Sequence, residues 1–441
     1  MTRYPGHLPP ARLFTRLRDF VAPCLHHAWL VLAALTASMH AEARPDVPLT
    51  LAQAEDLALT AEPGQRALDE RAAALEEQAV AAGELPDPML RVGLANFPIE
   101  SGGFTTEAMT QAQVGIRQAF PPGRTRAAGT RRFESLAQQM TESAEARGRD
   151  VLTAVRNAWL ETYYWESAET IVSESRPFFS DLAVITRSLY AVGSKDQQDV
   201  LRAELELSRL DDRLIEISRQ RARARAALSE WLGTEATRPI ARNLPQWEQV
   251  PALEALEEAL EEHPAVRAAD GAVAAGDAGV DLAEESYKPG WALDLGYGYR
   301  DGFNANGEPR SDFISLSVTV DLPVFRANRQ DRKLGAALAE RRAAAESRTQ
   351  LLRRLASQLR AEHARWMDLS RRIALYEARI LSQTDAQAQA ALLAYQSEAG
   401  DFADVMRGYI DDLNARLDFV RLQVERAQSY AVLANLGGLP R

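Results

Sequence analysis

The chain has 441 residues, a formal net charge of −11, 46% hydrophobic residues and one cysteine. So acidic a balance disfavours a nucleic-acid partner, which needs a basic surface, and one cysteine supplies no disulfide framework. Length alone admits several globules, but an internal repeat favours one elongated body.

At the N-terminus, Arg3, Arg12, Arg16 and Arg18 precede an apolar run, Ala28–Met39, followed by Ala41-Glu42-Ala43. That pattern predicts a secretory signal, residues 1–43, cut before Arg44. The run is too short for a membrane-spanning helix, which takes about 20 residues. Cutting there removes four arginines with Asp19 and Glu42, which moves the formal charge from −11 to −13. Cys24 leaves with it, so the mature chain outside the cytoplasm carries no thiol. No later stretch of 18 apolar residues exists, and any membrane span must be built from strands.

The rest is written twice, as residues 44–248 and 249–441. Leu51–Leu59 with Glu62-Pro63 returns as Leu253–Leu260 with His263-Pro264; Pro88 returns as Pro289, and Phe120-Pro121 as Leu322-Pro323. Val192-Gly193, then Asp199-Val200, returns as Ala399-Gly400, then Asp404-Val405. Each half reads helix, strand, strand, long helix, turn, long helix.

Strands are expected near 89–97, 111–120, 291–300 and 313–322, each long enough to cross a bilayer when tilted. Their alternation is clean: Trp291, Leu293, Leu295, Tyr297 and Tyr299 share one face, as do Ile314, Leu316, Val318, Val320 and Leu322. Leu90, Val92 and Leu94 alternate likewise, as do Ala112, Val114 and Ile116 against Gln111, Gln113 and Arg117. A soluble sandwich would alternate equally well. Helical hairpins at 124–233 and 326–437 shift the balance, because their first arms are each about 100–110 Å long. The returning arms carry coiled-coil spacing in Leu207, Leu210, Leu214 and Ile217, and in Ile410, Leu413, Leu417, Val420 and Val424. Gly193 and Gly400 are placed at the distal turns. The predicted fold is mostly α with a transmembrane β-barrel part.

Four strands cannot close a barrel, and open edges in lipid cost several kcal/mol per unpaired group. Three chains would give twelve strands and a wide lumen, so a homotrimer is expected. Pro98–Thr110 and Asp301–Asp312, rich in turn residues, would face the exterior, with the long helices projecting into the periplasm.

Taken in order, the repeat, the two proline-ended helices, the prolines after strands two and four, and Tyr190-Ala-Val-Gly193 with Asp199-Val200-Leu201 resemble the TolC-like outer-membrane efflux protein family. Leu85–Leu90 and Met109–Gly123 look most like its branch serving heavy-metal pumps of the resistance-nodulation-division type. The resemblance implies a trimeric twelve-stranded barrel, a helical tunnel, and docking to a periplasmic adaptor joined to an inner-membrane pump. It also implies the outer membrane of a Gram-negative bacterium. By it, Val192, Gly193 and Gly400 mark tips that touch the adaptor, and Asp199 and Asp404 line the entrance. The chain departs from the pattern at Arg407, one turn beyond Asp404, and at Ser397, where a tyrosine is usual. Three copies of Asp404 on a narrow axis would repel one another and attract cations, and Arg407 would offset them. Alternatively, Asp199 and Asp404 cap the returning helices.

Trp291, Tyr297, Tyr299 and Phe313 read as a bilayer-interface girdle or as ordinary strand aromatics, with the rest of the chain favouring the girdle. After cleavage only His263 and His363 remain, and Met89, Met109, Met140, Met367 and Met406 are scattered, so no metal site is expected. No nucleophile elbow or phosphate loop is present, so neither catalytic residues nor a cofactor are expected. The expected function is passive export of small solutes, heavy-metal cations first, with multidrug efflux or type I secretion as alternatives. A secreted coiled-coil scaffold is the rival of a different class.

Overall fold

Prolines set two helix starts in the computed structural model, which describes residues 47–439; the expected signal segment lies outside them. Helix α1 (Leu51–Ala61) opens on Thr50, whose hydroxyl and backbone exchange hydrogen bonds with Gln53 in a capping box. Helix α2 (Pro63–Gly83) follows at once. Its cap is Glu62, whose carboxylate accepts the Gln65 N–H at 2.5 Å and pairs with Arg147 at 3.0 Å. In the second half, α5 (Leu253–Ala259) precedes α6 (Pro264–Glu285), where His263 takes the same place and its Nδ1 accepts the Ala265 N–H at 3.1 Å. Proline suits the first helical position because its fixed φ is already helical and its missing N–H would go unpaired there.

Strands β1 (Met89–Ala95), β2 (Gln111–Phe120), β3 (Trp291–Tyr299) and β4 (Phe313–Val320) form one antiparallel sheet in that order. Three ends differ from expectation, β3 by a single residue. β1 stops at Ala95 because Asn96 takes φ 54°, with its amide donating to the Met109 carbonyl and its own carbonyl accepting Thr110 Oγ1. β4 stops at Val320, after which the Asp321 N–H turns to the Gly290 carbonyl at 2.8 Å.

Helix α3 (Thr125–Ala191) runs 67 residues, about 100 Å, with Pro177 inside it. It returns as α4 (Gln197–Leu232). In the second half the outgoing arm is α7 (Gln330–Leu375), a π-helical turn at Tyr376–Ile380, then α8 (Leu381–Gln396); these pieces of 46, 5 and 16 residues match the length of α3. The arm starts four residues later than the expected 326, after an irregular connection from β4. Its return is α9 (Phe402–Gly437).

The two hairpins share cores. Distally, Val172, Phe179 and Leu182 of α3 meet Leu210 and Ile217 of α4, Tyr395 of α8, and Phe402, Val405 and Leu413 of α9. Nearer the sheet, the fully buried Trp159 packs with Leu49, Val155, Leu228 and Val424, and its indole N–H donates to the Leu49 carbonyl at 3.0 Å. Beside it Arg156 and Glu55 are paired at 2.6 Å, both side chains almost wholly buried. Flanking the sheet, α2 packs on α3, α3 on α6, and α6 on α7. Among the described residues no helix is long and apolar enough to cross a membrane.

Candidate functional site

Register decides what each sheet face presents. Leu90, Ile116, Leu295 and Leu316 lie in one cross-strand row, and Val92, Val114, Tyr297 and Ile314 in the next. Further rows on that face hold Leu94 with Ala112 and Tyr299, Gln118 with Leu293 and Val318, and Phe120 with Trp291 and Val320. The face carries no charge, yet Leu90 and Leu316 are each 69% exposed. No helix packs on this sheet among the described residues. A water-facing sheet would forgo about 1.5–3 kcal/mol for each large apolar side chain left uncovered.

The other face is small and polar. Its rows include Arg91, Gly115, Gly296 and Ser315; Met89, Arg117, Asp294 and Ser317; Gly93, Gln113, Gly298 and Phe313; and Ala119, Ala292 and Thr319. Arg117 and Asp294 approach to 3.8 Å. Beyond the strands, Arg300 reaches the carbonyls of Ser311 and Ala108, and Arg310 those of Asp301 and Glu107, which ties the two end loops together.

Trp291 stacks on Phe120 at one end of the apolar face, with ring centroids 4.0 Å apart, and Tyr299 stacks near Phe104 at the other. The nine residues of β3 separate these ends by about 27 Å. Phe313 does not belong to this set. It pairs with Gly298, so it lies on the polar face, under the Arg300 guanidinium at 3.8 Å.

Gly400 lies in the second distal turn, between α8 and α9, but two residues past its left-handed position. Gly193 ends the first arm at φ 74°, and the Ser194 N–H returns to the Leu189 carbonyl. In the second turn Glu398 holds φ 60° and the Ala399 N–H returns to the Ala394 carbonyl. Gly193 therefore corresponds to Glu398, Tyr190 to Tyr395, and Asp199 to Asp404, all 205 residues apart. The tyrosine sought at Ser397 is present as Tyr395, turned inward against Phe402 with Lys195 over its ring. Gly400 serves close packing instead, since a Cβ there would come within 3.0 Å of Ala394 Cβ.

The helix caps are Asp196 and Asp401, not Asp199 and Asp404, which sit in the first turns of α4 and α9. Both places favour a negative charge through the helix dipole. Their surroundings differ. Asp199 is half-buried, and desolvation, with Asp196 and Asp401 nearby, raises its carboxyl above the usual range against the pull of Arg202 and Lys195. Asp404 is exposed and pairs with Arg407 at 3.3 Å. Val192 is 77% exposed at the first tip. Sequence reasoning passed over Asp196, Asp401 and Glu398; the common spacing of 205 from Tyr190 to Asp199 was the available signal.

His263 is buried far from either region. Its Nε2 meets Asn435 Oδ1 at 3.3 Å, and Asn435 Nδ2 donates to Asp150 at 2.9 Å. Burial, opposed by the Asn435 bond, pushes its pKa below the ordinary 6.5. The described residues hold no group of three or more His, Cys, Asp or Glu able to bind a metal ion.

No protein-family profile matches the chain. Protein CyaE of Bordetella pertussis is 28% identical over 327 residues, 69% of this chain and 66% of that protein. Among solved structures, CusC, described for transmembrane channel formation, superposes with TM-score 0.74 at 16% identity over 88% of this chain and 92% of its own. The outer membrane protein VceC of Vibrio cholerae gives 0.73 at 17% identity, over 88% and 96% of the two chains. The CmeC outer membrane channel of Campylobacter jejuni gives 0.72 at 13%, over 91% and 90%. The fold is that of the TolC-like outer-membrane efflux channels.

Proposed function

We propose that this chain is one subunit of a homotrimeric outer-membrane duct that passively conducts small solutes from a periplasmic adaptor and inner-membrane pump to the exterior. The observation that carries it is the sheet: a charge-free apolar face of bilayer height, bounded by aromatics, uncovered, with two open edges. Three copies would close those edges and turn the Gly, Ser and Arg face onto a lumen. The likeness in fold to outer-membrane channels supports the same reading. Trp291, Tyr297 and Tyr299 would anchor the lipid boundary, while Val192, Gly193 and the second turn would meet the adaptor. Asp199, Asp404 and Arg407 would line the entrance. Heavy-metal cations are the first cargo to test, on the resemblance of Leu85–Leu90 and Met109–Gly123.

Membrane fractionation with native mass spectrometry tests the channel: trimers of processed chains in the outer membrane support it, and a soluble species in the periplasm overturns it in favour of a secreted scaffold. Deleting the gene then tests cargo. Sensitisation to zinc, cadmium, cobalt, copper or silver alone supports metal export; sensitisation to antibiotics and detergents moves the assignment to multidrug efflux; loss of a secreted protein moves it to type I secretion.

A further inference from the structure

The four strands carry three charges, and all three stand on the polar face: Arg91 on β1, Arg117 on β2 and Asp294 on β3. Arg117 lies directly opposite Asp294 in the register and their side chains approach to 3.8 Å, so that pair is close to neutral. Arg91 is exposed and makes no ion pair among the described residues. The sheet therefore presents one uncompensated cation per chain.

The setting keeps that charge open. Arg91 shares its row with Gly115, Gly296 and Ser315, midway along the sheet. Gly115 has no room for a side chain, since a Cβ there would lie 2.9 Å from the Leu295 carbonyl oxygen. Arg91 thus borders a depression of about 310 Å³, whose polar lining includes Gln113, Ser315 and Ser317.

The flanking carboxylates are too far away to cancel it. Asp87 precedes Arg91 by four residues, about 13 Å along an extended chain, and Asp321 follows Ser315 by six, about 20 Å. Both distances exceed the screening length of about 8–10 Å in ordinary salt. At the loop end, Asp312 is engaged by the Tyr297 hydroxyl and the Arg300 N–H. A neighbouring copy adds no acid within its strand either. The free edges are β1 and β4, so equivalent copies closing a barrel set β4 of one beside β1 of the next, and β4 holds no charged residue.

We propose that Arg91 makes the barrel wall an anion filter. One guanidinium from each copy stands at mid-height in the lumen, where the ring draws small oxyanions and carboxylates and repels bare divalent cations. The forked N–H groups of arginine match two oxygens of such an anion. The proposal rests on the duct reading and narrows its cargo: the entrance acids and this ring act in series, and a metal leaving through the barrel would cross it as an oxyanion or bound to anionic ligands.

The test uses the full mature chain, purified from outer membranes and reconstituted in planar bilayers, with reversal potentials read across a potassium chloride gradient. Arg91→Gln should move the permeability ratio several-fold toward potassium, and Arg91→Lys should keep it near the native value. Inorganic phosphate added on one side should reduce the chloride current of native channels and much less that of Arg91→Gln. A second measurement is independent of assembly. In Cys24→Ser with Arg91→Cys, a positively charged methanethiosulfonate reagent added to inserted channels should shift the ratio back toward chloride, and a negatively charged one farther toward potassium. If native channels conduct but neither Arg91→Gln nor the reagents move the ratio, or phosphate acts equally on native and Arg91→Gln channels, the filter is wrong while the duct stands. If the native protein forms no conducting channel, the duct reading fails and this one with it.

Discussion

Glu398 occupies in the second distal turn the left-handed place that Gly193 holds in the first, at φ 60° against 74°. A side chain there costs about 1–2 kcal/mol that glycine avoids. Glu398→Gly should therefore raise the thermal midpoint of the purified protein by a few degrees, and Gly193→Ala should lower it by a similar amount. Circular dichroism melts of both variants check this; an unchanged midpoint for both would show that neither turn limits unfolding.

That exchange shows where sequence stops. Glycine signals a left-handed residue strongly, so Gly400 stood for the position that Glu398 holds two residues earlier in the same turn. Only the backbone bond from Ala399 to Ala394 puts the positive φ on Glu398. The repeat itself was legible because Glu62-Pro63 and His263-Pro264 are local signals that act without tertiary help. Sheet faces were legible too. Alternation that puts Ile314 and Leu316 on the apolar side already puts Phe313 on the other, and aromatic character obscured it. The π-helical turn at Tyr376–Ile380 had no readable mark, since its residues are ordinary helix formers.

Removing Arg156 should damage the fold more than its loss of charge suggests. Its partner Glu55 is buried at 2.6 Å, and the guanidinium also lies over Trp247 at 5.2 Å. Arg156→Ala would leave a buried carboxylate without its cation, at a cost of about 3–5 kcal/mol. Adding Glu55→Leu should recover much of that loss, with Arg156→Met replacing alanine to keep the packing. Urea melts of the single and double variants measure the coupling, and strictly additive losses would refute it.

His263 gives the helical region a defined pH response. Burial lowers its pKa below 6.5, so the unfolded chain binds a proton more readily than the folded one. Stability from neutral His263 is then complete above the unfolded value and is lost as pH falls through it toward the folded value. Protonation also removes the Nδ1 lone pair that caps α6. His263→Asn keeps an acceptor but cannot titrate, so its melting point should fall less between about pH 7.5 and about pH 5 than that of the native chain. Equal falls in both proteins would show that other groups set the acid response.

At the proposed entrance, Arg407 lies 3.3 Å from Asp404 and both are exposed. In a closed trimer, Arg407→Ala would leave three uncompensated carboxylates around the axis. Cation over anion selectivity in planar bilayers should rise several-fold, and Asp404→Asn should lower it. Reversal potentials under a salt gradient read this directly. If neither substitution moves them, the carboxylates do not face the conduction path.

The sheet supplies the sharpest contrast, because Leu316 and Ser315 are neighbours in β4 on opposite faces. Leu316 sits in the central apolar row with Leu90, Ile116 and Leu295. An arginine there would stand near the bilayer midplane, at a cost of about 2–4 kcal/mol per chain. In a trimer that cost is incurred three times. Leu316→Arg should abolish recovery of assembled protein from the outer membrane. At Ser315 the same side chain would enter the row of Arg91, Gly115 and Gly296, where glycine leaves room and water would solvate the charge. Ser315→Arg should assemble normally and shift conductance instead. Were Ser315→Arg to block assembly while Leu316→Arg was tolerated, the two faces would have to exchange roles, and a soluble sheet would be the reading if both were tolerated without effect on conductance.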